Sequence, residues 1–193
     1  MTLVSIIIAT FNSSHTLPKV LEAINKQTYP KKNLEILIVD GGSTDDTIKI
    51  GKKFGCKIIN NPRVEPVYAK YLGYKQASGR YIMYIDHDEV MTNMKSIANK
   101  INLLRTNPKV KAITGDGYIT PNGYQAINRY INEFGDPFSF FYYHLSKNPD
   151  YFLSSMKKKY VIIKDTPLYS IFDLSSSSQI PIIELVAGGG MID

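Results

Sequence analysis

The sequence predicts an α/β fold with a mostly parallel central sheet. Three observations carry that reading. Short β-rich runs alternate with segments of helical periodicity through the first half of the chain, polar and acidic residues collect where those runs end, and Gly and Pro punctuate the joins. At 193 residues, with 44% hydrophobic and 21% charged content, the chain is long enough to bury a sizeable core as one globular domain.

The elements follow in order. Val4–Thr10 (VSIIIAT) reads as a first strand, and Leu17, Val20, Leu21 and Ile24 recur at helical spacing after it. Leu34–Asp40 (LEILIVD) is a second strand; the helix after it has Thr44 as expected N-cap and Gly55 as stop. CKIINN is a short third strand, and EPVYAKYLGYKQASG a third helix ending at Gly79. RYIMYID is the fourth strand, followed by a helix with Thr92 before it and Pro108 after it, then the strand VKAITGD.

In open sheets of this kind, ligands bind outside the carboxyl ends of the strands. Here those ends carry Thr10-Phe11-Asn12, Asp40-Gly41-Gly42-Ser43 and Asp86-His87-Asp88. The first turn, ATFNSS, lacks the glycines that bring a pyrophosphate close to the backbone, which demotes a dinucleotide cofactor. DGGSTDD puts carboxylates where a P-loop needs lysine and phosphate charge, which demotes that chemistry too.

The pair Asp86 and Asp88 suits a different ligand. In an extended segment, residues i and i+2 share a face about 6.6 Å apart, with His87 pointing away. Hard divalent cations prefer oxygen donors, and Mg²⁺ is commonly held by one or two carboxylates together with substrate phosphates. The competing reading of an isolated Asp-X-Asp is an acidic turn that caps the next helix.

Together the segments VSIIIATFNSSHTLPKVLEAINKQTYP, LEILIVDGGSTDDT and AKYLGYKQASGRYIMYIDHDE resemble the nucleotide-sugar-binding half of family 2 glycosyltransferases. That family shows, in the same order, a strand ending near Thr-Tyr-Asn, a VDDGSTD-like turn, an ARN-bearing helix and a DAD-like metal motif. The resemblance covers roughly Val4 to Val90 and implies a GT-A type, Rossmann-like α/β/α sandwich. Residues 1–115 would form the nucleotide-sugar-binding βα half, and 116–193 part of the acceptor-side half of the same domain. It further implies that Thr10 and Phe11 border the nucleoside and that Asp40 accepts a hydrogen bond from the base edge. Asp86 would lie near the ribose and the metal, and Asp88 would coordinate Mn²⁺ or Mg²⁺ on the diphosphate. Lys70 falls where the family has arginine and would meet a phosphate as a point charge, the alternative being a solvated helix lysine.

The implied activity is transfer of a sugar, with a UDP-sugar as the expected donor, to a glycan or lipid-linked acceptor by metal-assisted, inverting displacement. Gly41 and Lys70-Tyr71 depart from the family pattern, which leaves the donor base and sugar open. No residue is assigned as the catalytic base. The family places it beyond a glycine-containing stretch resembling VAGGG, so this chain is expected to be part of a longer enzyme that binds nucleotide but transfers sugar poorly alone. Asp193 and, for sugar contact, Asp116 are weak candidates. A sugar nucleotidyltransferase and a non-catalytic nucleotide-binding module are the alternatives; the first would want a glycine- and basic-rich loop where ATFNSS stands.

Composition bounds the setting. Apolar runs such as Val4–Ala9 fall far short of the roughly 18 residues of a membrane span, and the start has no signal-peptide pattern. The lone Cys56 suits a reducing compartment, so the cytoplasm, including the cytoplasmic face of the membrane, is the expected location. The net charge of +6 is not accompanied by a nucleic-acid fold signature. The basic run MKKKY before YVIIK reads as a solvated strand entrance, LSSSSQIP as a flexible loop, and His15 and His144 as residues without a metal role. Phe138, Phe140, Phe141, Tyr142 and Tyr143 form an aromatic cluster suited to a satellite core, a sugar wall or, with the basic run, peripheral membrane contact.

Overall fold

A strand with three consecutive isoleucines is satisfied where both of its faces are covered, and that is how β1 (Val4–Thr10) is used: all seven residues are buried. A computed structural model describes residues 4–115, 123, 125–127, 129–130, 149–175 and 189–193. The chain divides into two compact units, Met1–Ile113 with Gly189–Asp193, and Thr114–Gly188.

The first unit is built on a six-stranded sheet. β1 pairs in parallel with β2 (Leu34–Asp40) and β4 (Tyr81–Tyr84), and β2 with β3 (Lys57–Asn60). β8 (Met191–Ile192) runs antiparallel between β4 and β5 (Ala112–Ile113), which gives the order β3-β2-β1-β4-β8-β5. The sheet alternates its apolar residues between two helical layers. Val4, Ile6 and Ile8 pack with α1 (Leu17–Asn25) and α4 (Ser96–Thr106), while Ile7, Ala9, Leu37 and Val39 pack with Ala69 and Leu72 of α3 (Pro66–Gln76). Each fully buried Ile or Leu contributes about 1.5–3 kcal/mol of transfer free energy. The expected α/β/α sandwich with a mostly parallel sheet is what forms.

Glycines set how closely the helices approach. A Cβ on Gly73 of α3 would fall 2.4 Å from Ile7 Cγ2, and one on Gly51 of α2 (Thr47–Lys53) 2.5 Å from Ile38 Cδ1. Burial also decides the state of Cys56, whose thiol pKa is pushed up to about 12, leaving it a small core hydrophobe.

Several boundaries differ from expectation. Thr44 does not cap α2, because its N–H and hydroxyl both donate to Asn12 Oδ1. Thr92 does not cap α4 either. Gln27, arriving from beyond α1, accepts the Ile97 N–H at 3.1 Å and donates to the Asn93 carbonyl at 3.0 Å, so that terminus is satisfied from another element. α3 stops at Gln76, not Gly79, because Ala77 turns extended. Gly79 instead lies against β1, donating its N–H to Ser5 Oγ at 2.8 Å. β5 keeps two residues of VKAITGD, the two that find partners on β8.

In the second unit, α5 (Pro149–Lys159) precedes a hairpin of β6 (Val161–Asp165) and β7 (Ser170–Asp173). The MKKK run belongs to the last turn of α5 and is not a strand entrance. Cations there complement the helix carbonyls, and Met156 is buried. Lys157 also pairs with Asp165 at 2.7 Å. The aromatic cluster at 138–143, His144, Asp116 and most of LSSSSQIP lie outside the described residues. Among the described residues, no helix is long and apolar enough to cross a membrane.

Candidate functional site

Parallel pairing brings the carboxyl ends of β1, β2, β3 and β4 to one edge, and the loops leaving them are stitched together there. Asn12 N–H donates to Ser43 Oγ at 2.8 Å, Ser13 N–H to Thr47 Oγ1 at 2.7 Å and Ser14 N–H to Asp45 Oδ2 at 3.0 Å. Hydrogen bonding, from Thr47 first, holds the Asp45 carboxyl well below the usual carboxylate range.

Beneath this loop pair, Asp40 is only 2% exposed. Its Oδ1 accepts the hydroxyls of Thr10 (2.8 Å) and Ser43 (2.6 Å), and its Oδ2 the N–H groups of Gly42 (2.9 Å) and Ser43 (2.8 Å). Four donors use the full acceptor capacity of a carboxylate. In this structure Asp40 holds the Gly41–Ser43 turn, and Thr10, also buried, holds Asp40. Phe11 is different: half its surface is open.

Phe11 faces a neighbour that sequence reasoning missed. A Cβ placed on Gly41 would lie 3.2 Å from Val64 Cγ1 and 3.5 Å from Phe11 Cδ2, so Gly41 forms the floor between two exposed apolar side chains. Val64 has φ +63°, a left-handed conformation that a β-branched residue adopts at a cost. It is held by Asn61, which is buried, accepts the Arg63 N–H and donates to the Glu65 carbonyl. Positive φ at valine leaves no signal in the sequence.

The Asp86-His87-Asp88 segment is a turn, not a continuation of β4. The Glu89 N–H donates to the Asp86 carbonyl at 3.1 Å, and the Asp86 N–H donates back to Glu89 Oε2 at 3.0 Å. This reciprocal closure displaces the extended, same-face geometry expected for the two aspartates. His87 Nδ1 lies 2.9 Å from Thr16 Oγ1, tying the turn to the start of α1. Asp88 is exposed, and the Asp86 side chain is 46% exposed with Lys70 Nζ 2.8 Å from its Oδ1. Lys70 is thus no free helix lysine, and it joins α3 to the turn.

The turn presents two oxygen donors of the type a hard divalent ion takes. Among the described residues no group of three or more His, Cys, Asp or Glu converges. Asp193 stands elsewhere. Arg80 grips it through Nε (2.6 Å) and Nη2 (2.9 Å) ahead of β4, at the opposite edge of the sheet, so this weak candidate for the base is held as a clamped carboxylate and not as a loose terminal residue. His15 is exposed.

Comparison with known proteins agrees with this architecture. The family model described as glycosyl transferase family 2 matches residues 5–156. A UDP-Glc:alpha-D-GlcNAc-diphosphoundecaprenol beta-1,3-glucosyltransferase of Escherichia coli is 41% identical over 110 residues, covering 55% of this chain and 43% of that protein. A dolichyl N-acetyl-alpha-D-glucosaminyl phosphate diacetamido-dideoxy-glucuronosyltransferase of Methanococcus voltae is 34% identical over 128 residues, 60% of this chain and 39% of that one. The chain therefore spans less than half the length of these relatives. Among solved structures, S. aureus TarS superposes with a TM-score of 0.58 at 21% identity, over 70% of this chain and 24% of TarS. A Pyrobaculum calidifontis mannosyltransferase solved with GDP-Man and Mn²⁺ gives 0.55 at 23%, over 62% and 36%. These likenesses show the GT-A fold.

Proposed function

Because this chain belongs to glycosyltransferase family 2, we propose that it forms the donor-binding part of an enzyme that moves a sugar from a nucleoside diphosphate sugar, a UDP-sugar in the first instance, to a glycan or lipid-linked acceptor. The observation that carries the reading is the Asp86–Glu89 turn at the carboxyl edge of the sheet, where the Asp86 and Glu89 carboxylates and the Lys70 ammonium are drawn together and Asp88 stands exposed two residues on.

Each residue has a task in that reading. Phe11 and Val64 flank the base over the Gly41 floor. Asp40 and Thr10 act from below by fixing the turn, since the four donors on Asp40 leave no lone pair for a base edge. Asp86 and Asp88 hold Mn²⁺ or Mg²⁺, and Lys70 reaches a diphosphate oxygen as a compact charge. When bound, the ion neutralises charge on the departing nucleoside diphosphate. A single displacement at the anomeric carbon inverts it, with a carboxylate base other than Asp193 taking the acceptor proton.

The acceptors named for these two relatives are lipid-linked, which supports a lipid-linked acceptor, and the reading carries with it work at the cytoplasmic face of a membrane. The +6 net charge suits peripheral contact with anionic lipid. Flotation with anionic vesicles tests that part, and failure to float removes it.

The donor site is tested by calorimetric titration of UDP with Mn²⁺ and with EDTA, against GDP, on the native chain and Asp88→Ala. Metal-dependent binding of UDP that Asp88→Ala abolishes supports the reading. A folded protein that binds neither nucleotide overturns it, and tighter binding of GDP would replace the uridine donor.

A further inference from the structure

Lys70 puts an ammonium on the Asp86 carboxylate, 2.8 Å from its Oδ1. Both sides of this contact are held in place. α3 cannot move closer to the sheet, because Gly73 already lies against Ile7 and Val39, where even a Cβ has no room. Asp86 is pinned through its own N–H and carbonyl to Glu89. What can move is the lysine side chain, a point charge on a flexible four-carbon stem. Its side chain is 27% exposed, open enough to swing.

We propose that Lys70 is a resident counter-cation: it neutralises Asp86 while the site is empty, and yields it to the divalent ion only when a nucleoside diphosphate arrives to accept the ammonium. Ion and nucleotide then bind as a unit, and neither binds well alone. The inference rests on the donor-site reading above. Its physical ground is charge balance. A divalent ion on Asp86 would compete with the Lys70 ammonium for the same oxygen and be repelled by it at close range, and a diphosphate relieves that conflict by pairing with both cations. Arginine would hold Asp86 through two parallel bonds and release it less readily, so lysine is the residue that suits an exchange. By linkage, the factor by which nucleotide tightens the ion is the factor by which the ion tightens nucleotide.

The test follows free Mn²⁺ by electron paramagnetic resonance, with and without UDP, for the native chain, Lys70→Met and Asp88→Asn, with UDP affinity measured in parallel. Methionine keeps the unbranched stem and helix propensity, and an unchanged urea midpoint verifies the fold. In the native chain, UDP should tighten Mn²⁺ by about tenfold or more. Lys70→Met should tighten Mn²⁺ by about fivefold without nucleotide, weaken UDP in the presence of Mn²⁺, and shrink the coupling. Asp88→Asn should lose Mn²⁺ in both conditions. If Lys70→Met leaves nucleotide-free Mn²⁺ affinity unchanged while the native chain still binds Mn²⁺ with UDP through Asp88, the counter-cation role is overturned and the donor site stands. If the folded native chain binds no Mn²⁺ with UDP, both fall.

Discussion

Thr10 and Asp40 are register partners across the β1–β2 ladder, and the Thr10 hydroxyl donates to Asp40 Oδ1 at 2.8 Å in a buried setting. The last rung of the ladder is therefore also the foundation of the loop above it. Asp40→Asn replaces one acceptor oxygen by an NH₂ group aimed at existing donors. It should destabilise the protein by about 3 kcal/mol, as expected when buried bonds to a charged group are lost and donors are left unpaired. Urea unfolding measures this, and an unchanged midpoint would show that the carboxylate does not anchor the loop.

Val64 separates stability from binding. Its φ of +63° costs about 1 kcal/mol or more for a β-branched residue, and glycine carries no such penalty. Val64→Gly should therefore leave stability unchanged or raised, despite the loss of an exposed side chain, while weakening nucleotide binding severalfold by removing one wall beside Phe11. Thermal unfolding and UDP titration on one sample read both effects. A loss of stability with binding intact would contradict the wall and the strain together.

Two glycines should rank differently on substitution. The Cβ of Gly51→Ala meets the tips of Ile38 and Ile58, which can rotate aside, whereas that of Gly79→Ala meets the Ser5 nitrogen at 2.7 Å and the Val4 carbonyl carbon at 2.9 Å. Overpacking costs about 1–3 kcal/mol. Gly51→Ala should fall at the low end and Gly79→Ala at or above the high end, because backbone cannot rotate away. Denaturant midpoints of the two variants give the order.

The clamp on Asp193 gives a pH signature. Its carboxyl is held below the ordinary aspartate value, first by hydrogen bonding from Arg80. A lowered folded-state pKa contributes stability that is complete above the unfolded value and is lost as pH falls through the folded value. Native protein and Arg80→Met should thus differ most near neutrality and converge below about pH 4. Convergence stops short of identity, because Arg80 also lies 5.2 Å over the Tyr81 ring and Arg80→Met loses that contact at every pH. A difference constant from pH 7 to 2.5 would exclude the ion pair as its source.

What was legible in the sequence has a physical pattern. β1 and β2 were readable to the residue because a long apolar run closed by a polar residue has one sensible environment, and α1 because four apolar residues at helical spacing need one face. The edge carrying Thr10, Asp40 and Asp86 followed from parallel topology alone. Features set by partners distant in sequence were illegible. Gln27 supplies the cap of α4, Asn12 takes Thr44 away from α2, and Lys70 finds Asp86 across a helix-to-loop register that no local pattern encodes. The Asp-X-Asp spacing suggested a shared face, but Glu89 pulled the segment into a turn. β8 has two residues and no period to detect, although Met191 is fully buried.

That short strand governs the order in which the sheet can be completed during synthesis. β8 fills the gap between β4 and β5, yet residues 114–188 are translated before it. The βα units up to β4 can assemble as they leave the ribosome, but the outer edge of β4 keeps unpaired backbone groups until 189–193 emerge. A nascent chain halted before Gly189 presents that edge to its neighbours on the polysome, where an open strand is a template for pairing with the wrong chain.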